Sequence, residues 1–358
     1  MRIAQVSPLI ESVPPSLYGG TERVVSYLTE ELVAMGHEVT LFASGDSHTS
    51  ARLIPGSPKA LRLHPIFSEP AVPHLLMYEK LSRMAREFDM VHFHSDWAAF
   101  TFARRLTVPS LVTLHGRLDY PDLPPLFREY ADVPLVSISS SQRRPLDWAN
   151  WAGTVPHGLP ANLYRYSRGN GGYLAFCGRV SAEKRLALAI RIAQTAGMEL
   201  LIAAKVDKAD HDYFEHAIKP LLGSPGVRFI GEIGDREKND FLGNAAALLF
   251  PIDWPEPFGL VMIEAMACGT PVIAFPRGAV PEVLEHGLTG FMVESVEAAV
   301  EAVGRLRSFD RQRCRERFEQ RFTARRMAED YLQVYRRLGA RISHARTAAW
   351  GRSHTWTR

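Results

Sequence analysis

The chain has 358 residues, 46% hydrophobic and 23% charged, with a net charge of +3. That length favours two domains over one, and the balance is that of a globular protein whose charge alone does not call for a nucleic-acid partner. No apolar run approaches the ~20 residues of a membrane span, and the dispersed Cys177, Cys268 and Cys314 lack metal or disulfide spacing, so free thiols in a reducing compartment are expected.

Met1 to Val6 reads as a strand rather than a signal peptide, so a cytoplasmic protein is expected, with peripheral membrane contact left open. A loop rich in Ser, Pro and Gly follows and ends at Tyr18-Gly19-Gly20-Thr21. From Glu22 to Met35, Val24, Val25, Leu28, Leu32 and Val33 form one helical stripe, stopped by Gly36. Val39 to Ala43 is the next strand, and residues 45–72 read as loop with room for an edge strand. His74 to Glu87 is a helix, Met90 to His94 a strand, Trp97 to Arg105 a helix, and Ser110 to Leu114 a strand ending at His115-Gly116. Leu135 to Ser139 and a helix Gln142 to Trp151 complete the first half. Such alternation with short connections implies a mostly parallel sheet covered on both faces.

Residues 161–172 are polar and Gly-rich and are the candidate linker. The alternation then restarts. Strands are expected at Leu174 to Cys177, Leu200 to Ala204, Val227 to Ile230, Ala246 to Phe250 and Val272 to Phe275. Helices are expected at Ala182 to Ala196, Tyr213 to Leu222, Arg236 to Asn244, Leu260 to Cys268 and Pro281 to His286. Val296 to Leu338 is helical, and 341–358 reads as a flexible tail. The fold class is therefore α/β, two doubly wound domains in tandem, with a ligand cleft between the carboxyl ends of their strands.

The most informative stretch is Pro255-Glu256-Pro257-Phe258-Gly259-Leu260, running through Glu264 to Gly269-Thr270-Pro271. Glu256 stands in a Pro-flanked turn before a helix, and Glu264 stands inside that helix. Free N–H groups at the helix start attract anions. Two carboxylates beside an anion site fit a ligand carrying both phosphates and hydroxyls, such as a nucleotide sugar.

Gly178-Arg179-Val180-Ser181-Ala182-Glu183-Lys184-Arg185 places Arg179 and Lys184 between a strand end and a helix start. A diphosphate wants that arrangement; two solvated surface cations are the alternative. Gly19-Gly20 before a helix would let backbone approach a phosphate, or simply supply a turn. There is no GxGxxG and no P-loop. His115 closes a strand and would point into the cleft, whereas His92 and His94 read as structural. Asp210-His211-Asp212 has metal-site spacing, but it precedes a helix and is read as a cap. Gly231-Glu232-Ile233-Gly234-Asp235 follows a strand and could present backbone amides to a nucleobase, or turn the chain with Asp235 as cap.

In this order and spacing, the motifs Gly19-Gly20-Thr21-Glu22-Arg23-Val24, Gly178-Arg179 with Lys184, Gly231-Glu232-Ile233 and Glu256 with Glu264 resemble the retaining glycosyltransferases of family 4. These have two Rossmann-like domains facing a cleft, the GT-B fold, and the resemblance extends to about Leu338. It implies that Glu264 binds the donor ribose and Glu256 the donor sugar. Arg179 and Lys184 would hold the diphosphate as leaving group, with Gly19 and Gly20 meeting it from the first domain. Phe258, Gly259 and Leu260 would add backbone donors, Ile233 would meet the base, and His115 would sit by the reacting centre. No metal or other cofactor is implied, only the nucleotide-sugar donor as substrate. The implied domains are 1–162 on the acceptor side, 163–322 on the donor side, and a last helix, 323–340, returning to the first. Lys184-Arg185 stands where relatives often have Lys-Gly, and His157-Gly158 where they often have Asn-Gly. The expected reaction is transfer of a hexose from a UDP-glucose or GDP-mannose type donor to an acceptor the sequence does not identify. A non-catalytic nucleotide-sugar binder and a sugar-nucleotide epimerase are the alternatives.

Overall fold

The computed structural model describes residues 1–17, 19–63, 69–169 and 172–353. The first sheet contains β1 (Arg2–Val6), β2 (Glu38–Ser44), β3 (Arg52–Ser57), β4 (Met90–Phe93), β5 (Ser110–Thr113), β6 (Leu135–Ser137) and β7 (Trp151–Thr154). Their order across the sheet is β3-β2-β1-β4-β5-β6-β7, all parallel. The second contains β8 (Tyr173–Arg179), β9 (Glu199–Lys205), β10 (Val227–Gly231), β11 (Ala247–Phe250), β12 (Val272–Ala274) and β13 (Gly290–Met292), in the parallel order β10-β9-β8-β11-β12-β13. Both are Rossmann-like, and the chain belongs to the α/β class with a GT-B arrangement.

Burial on both faces explains the unbroken apolar runs of the central strands, such as Ala247-Leu248-Leu249-Phe250, all buried. In each sheet the winding reverses beside the first strand, between β1 and β4 and between β8 and β11. A crevice opens at such switch points beyond the carboxyl ends of the strands. Here the two crevices face each other.

The last helix, Ala324–Ser353, ties the halves together. It packs on the Gly20–Ala34 helix, and Tyr331 and Tyr335 are fully buried against the first sheet. Burial of each such ring contributes roughly 2–3 kcal/mol. The continuous core they join also holds Phe258 and Met266 from the second half. Among the described residues no helix is long and apolar enough to cross a membrane.

Several expectations change. Residues 341–353, read as a flexible tail, continue the last helix, and 354–358 lie outside the described residues. The helix expected over Gln142 to Trp151 is Ser140–Arg143 followed by a 3-10 turn over Arg144–Leu146 that contains Pro145, and Trp151 begins β7. Tyr213 to Leu222 is helical but changes type, from α at His211–Tyr213 to π over Phe214–Ile218 and a 3-10 turn over Lys219–Leu221 that contains Pro220. The edge strand within 45–72 is β3. The strand β13 was missed: three residues give too short a run for a period to register.

Candidate functional site

A cavity of about 290 Å³ lies between the two crevices. Gly19, Gly20 and His115 line it from the first half, and Arg179, Lys184, Ile233, Glu256, Phe258, Gly259, Leu260 and Glu264 from the second. Every residue singled out for the cleft is thus brought to one space. A side chain at Gly20 would meet Leu260 at 3.6 Å, so the two halves approach closely there.

Glu256 is held by backbone geometry. Its N–H donates to the Trp254 carbonyl at 2.8 Å, and its own carbonyl accepts from Ala279 N–H at 2.8 Å. Gly278 permits this approach: a Cβ there would stand 2.2 Å from Glu256 N and 2.3 Å from its O, and φ is +59°. Gly259, at φ +82°, turns the chain into the Leu260–Ala267 helix. The Glu256 carboxylate takes a hydrogen bond from Trp254 Nε1 at 3.1 Å and an ion pair from Lys184 Nζ. Lys184 in turn lies 4.9 Å from the Trp254 ring and 5.4 Å from Phe250.

Glu264, buried in the second turn of that helix, takes both of its hydrogen bonds from Lys238 Nζ, at 3.0 and 3.1 Å. Burial, the largest single effect, pulls the Lys238 ammonium down; Glu264, with Cys177 and Asp235, together outweighs it, and the net shift is upward. The two glutamates are therefore held by different lysines of the cavity wall.

Arg179, at the end of β8, is gripped by Glu183 Oε1 at 2.7 Å and Asp210 Oδ2 at 3.4 Å. The Asp210 carboxylate makes no cap for the turn that follows it and turns to Arg179 instead, which corrects its reading as a cap. Asp235 is likewise not a cap. Gly234 holds that position, and Asp235 pairs with Arg23 from the first half. Arg185 takes the left-handed conformation, φ 52°.

His115 follows β5. Its N–H donates to Asp96 Oδ1 at 2.7 Å, Nε2 lies 3.0 Å from His94 Nδ1, and burial lowers its pKa to about 3. The His157 ring stacks on it at 5.3 Å and 15°, and His157 meets Phe258 edge-on at 4.9 Å. Two further contacts join the halves beside the cavity. Ser139 Oγ donates to the Pro257 carbonyl at 2.7 Å, and Glu282 accepts from Ser140 and Ser141 N–H at 2.7 and 2.6 Å.

The sequence reading gave no role to Lys238, Lys205, Glu232 or Arg23, which all line the cavity. Arg23 carried a signal: a cation in the first turn opposes the helix dipole and calls for a partner. Lys238 carried none, because its partner lies 26 positions away.

Comparison with known proteins agrees with this geometry. Residues 18–153 match the family described as Glycosyltransferase Family 4, and residues 167–321 match Glycosyl transferases group 1. The chain is 26% identical over 333 residues to phosphatidyl-myo-inositol mannosyltransferase of Mycolicibacterium smegmatis, covering 82% of this chain and 81% of that protein. It is 26% identical over 362 residues to a glycogen synthase of Mycobacterium tuberculosis, covering 85% and 86%. Among solved structures, AviGT4, a glycosyltransferase involved in avilamycin A biosynthesis, superposes with a TM-score of 0.74 at 25% identity, over 95% of this chain and 98% of that one. The chain is a glycosyltransferase of the GT-B fold.

Proposed function

We propose that the chain is a retaining, metal-independent hexosyltransferase, moving glucose or mannose from a UDP-glucose or GDP-mannose type donor to a sugar, lipid-linked or small-molecule acceptor. The observation that carries this reading is the Lys184–Glu256 pair in one cavity with Arg179 and with Glu264. A glycogen synthase and a mannosyltransferase among the relatives support a hexose.

In this reading Glu264 takes the ribose hydroxyls, Ile233 meets the base, and Gly19 and Gly20 face the phosphates from the first domain. With the donor bound, the diphosphate draws Lys184 away from Glu256. The carboxylate is then released to accept hydrogen bonds from the sugar hydroxyls. As the bond from the sugar carbon to the phosphate oxygen breaks, the electron pair leaves with the diphosphate. Arg179, Lys184 and backbone N–H groups of Phe258, Gly259 and Leu260 stabilise that charge. The acceptor hydroxyl attacks from the same face and its proton passes to the departing phosphate oxygen. Fixed cations supply the charge that a metal would otherwise bring. The domains divide as 1–162 with 323–340 against 163–322, and their closure excludes water. Three free cysteines fit a reducing compartment such as the cytoplasm.

A thermal-shift panel of UDP, GDP and ADP sugars identifies the donor, and turnover of the stabilising one is then measured. Lys184→Ala and Glu256→Ala should each lower turnover by about 10²-fold or more, as for loss of a charge-stabilising group. Near-normal turnover by both variants would overturn the assignment. Release of an altered sugar nucleotide without acceptor would identify an epimerase instead.

A further inference from the structure

His115 Nδ1 is buried at the cavity wall and has no hydrogen-bond partner among the described residues. Its other nitrogen is the end of a buried chain of contacts. Gln5 Nε2 donates to the Tyr335 hydroxyl at 3.1 Å. Gln5 Oε1 lies 2.7 Å from His94 Nε2, and His94 Nδ1 lies 3.0 Å from His115 Nε2. An amide oxygen can only accept, so the proton between Gln5 and His94 sits on His94 Nε2. A neutral imidazole carries one proton, so His94 Nδ1 is bare and must accept. The proton between the two rings therefore sits on His115 Nε2, which leaves a lone pair on His115 Nδ1. Burial lowers the pKa of both rings, His94 well below the ordinary histidine value and His115 to about 3, so both are neutral.

We propose that Gln5, through His94, locks His115 in the Nε2–H tautomer, so that Nδ1 accepts the hydrogen of a sugar hydroxyl. Gln5 and His94 are positioning residues, and neither lines the cavity. A locked neutral ring supplies no positive charge to a leaving phosphate. It selects for a hydroxyl at one place on the sugar and disfavours an acceptor-only group there. The stacked His157 ring contacts the face of His115, so it does not itself occupy the in-plane lone pair. The hydroxyl contact rests on the reading of this cavity as the donor site; the tautomer does not.

The test is long-range nitrogen–proton NMR of the full chain labelled at histidine, with His115→Gln used to assign the signal. The free protein should show His115 with an unprotonated Nδ1 and a protonated Nε2. The opposite tautomer overturns the proposal. UDP-glucose or GDP-mannose, whichever binds, should shift Nδ1 towards a hydrogen-bonded value, whereas UDP and GDP should leave it in place. Binding of a sugar nucleotide with Nδ1 unmoved overturns the hydroxyl contact. Binding of none of the four refutes the donor reading and that contact together, while the free protein still decides the tautomer. Gln5→Leu, of similar volume, should give mixed His115 tautomers and about a tenfold loss of kcat/KM, with affinity for the nucleoside diphosphate unchanged. A folded Gln5→Leu variant with ordinary kcat/KM overturns the positioning role. If that variant does not fold, the wild-type tautomer remains the deciding measurement.

Discussion

Gly278→Ala probes how the proposed sugar-side carboxylate is held. Gly278 lies outside every motif the sequence suggested, yet its backbone lies against Glu256. An added Cβ would stand 2.2 Å from Glu256 N, 2.3 Å from Glu256 O and 2.6 Å from the Pro255 carbonyl carbon. None of these is the tip of a flexible side chain, so backbone has to move, by about 1 Å to restore ordinary contact. Two costs add. A left-handed alanine costs about 1–2 kcal/mol, and overpacking against backbone about 1–3 kcal/mol. Gly287→Ala separates them, because Gly287 has φ +76° and a Cβ added there would meet nothing within 4 Å. It should show the first cost alone. In chemical denaturation Gly278→Ala should therefore be the less stable of the two by about 1–3 kcal/mol. A 1 Å displacement of a positioned group costs about 10²-fold in rate, and that loss should appear in turnover of the sugar nucleotide. Affinity for the nucleoside diphosphate should stay near normal, since Glu264 and Lys238 are elsewhere on the wall. Equal stability of the two variants, or full turnover by Gly278→Ala, would refute the reasoning.

Lys238→Met strands the buried Glu264 carboxylate and should cost about 3 kcal/mol of stability, together with nucleotide affinity; unchanged melting and unchanged calorimetric affinity would contradict the pairing. Acid should destabilise the fold in a window set by its histidines. His92, His94, His115 and His157 are all lowered by burial, His115 to about 3, so below pH 6.5 the unfolded chain binds protons that the folded chain refuses. Glu22, raised to about 7, and Asp96, raised to about 6, are also shifted by burial but oppose this, because the folded chain then binds more protons. For these six groups the balance near pH 5 is about two protons, or about 3 kcal/mol per pH unit, with their contribution to stability falling as pH falls. His115→Gln should flatten that slope by about 1.4 kcal/mol per pH unit; an unchanged slope in denaturation series would count against a buried neutral ring.

How far the site was legible depended on how local each residue's job is. Glu256 and Glu264 belong to one turn and one helix, so their spacing is itself the geometry. Arg179 and Lys184 stand at a strand end and the turn after it, and a two-residue glycine step marks Gly19 and Gly20. Those could be read because strand alternation already says where the strand ends meet. Gln142 to Trp151 failed because a strand of four residues, Trp151–Thr154, claimed the end of the apparent helix. Asp210 and Asp235 failed for a different reason. Asp210 stands at a cap position and Asp235 one residue past it, and each gives its carboxylate to an arginine that the tertiary fold brings near.

The sequence by itself determined the two doubly wound halves, the facing crevices and the residues that chemistry would want there. Periodicity and turn residues act over a few positions, and these features are built at that scale. Only the tertiary structure decided which charges meet: Lys184 with Glu256, Lys238 with Glu264, Arg23 with Asp235. It also decided that Gly278 must be a glycine and that His115 ends a chain starting from Tyr335. The physical reason is that a buried charge or polar atom needs a partner, and the chain supplies it from wherever folding brings one within about 3 Å.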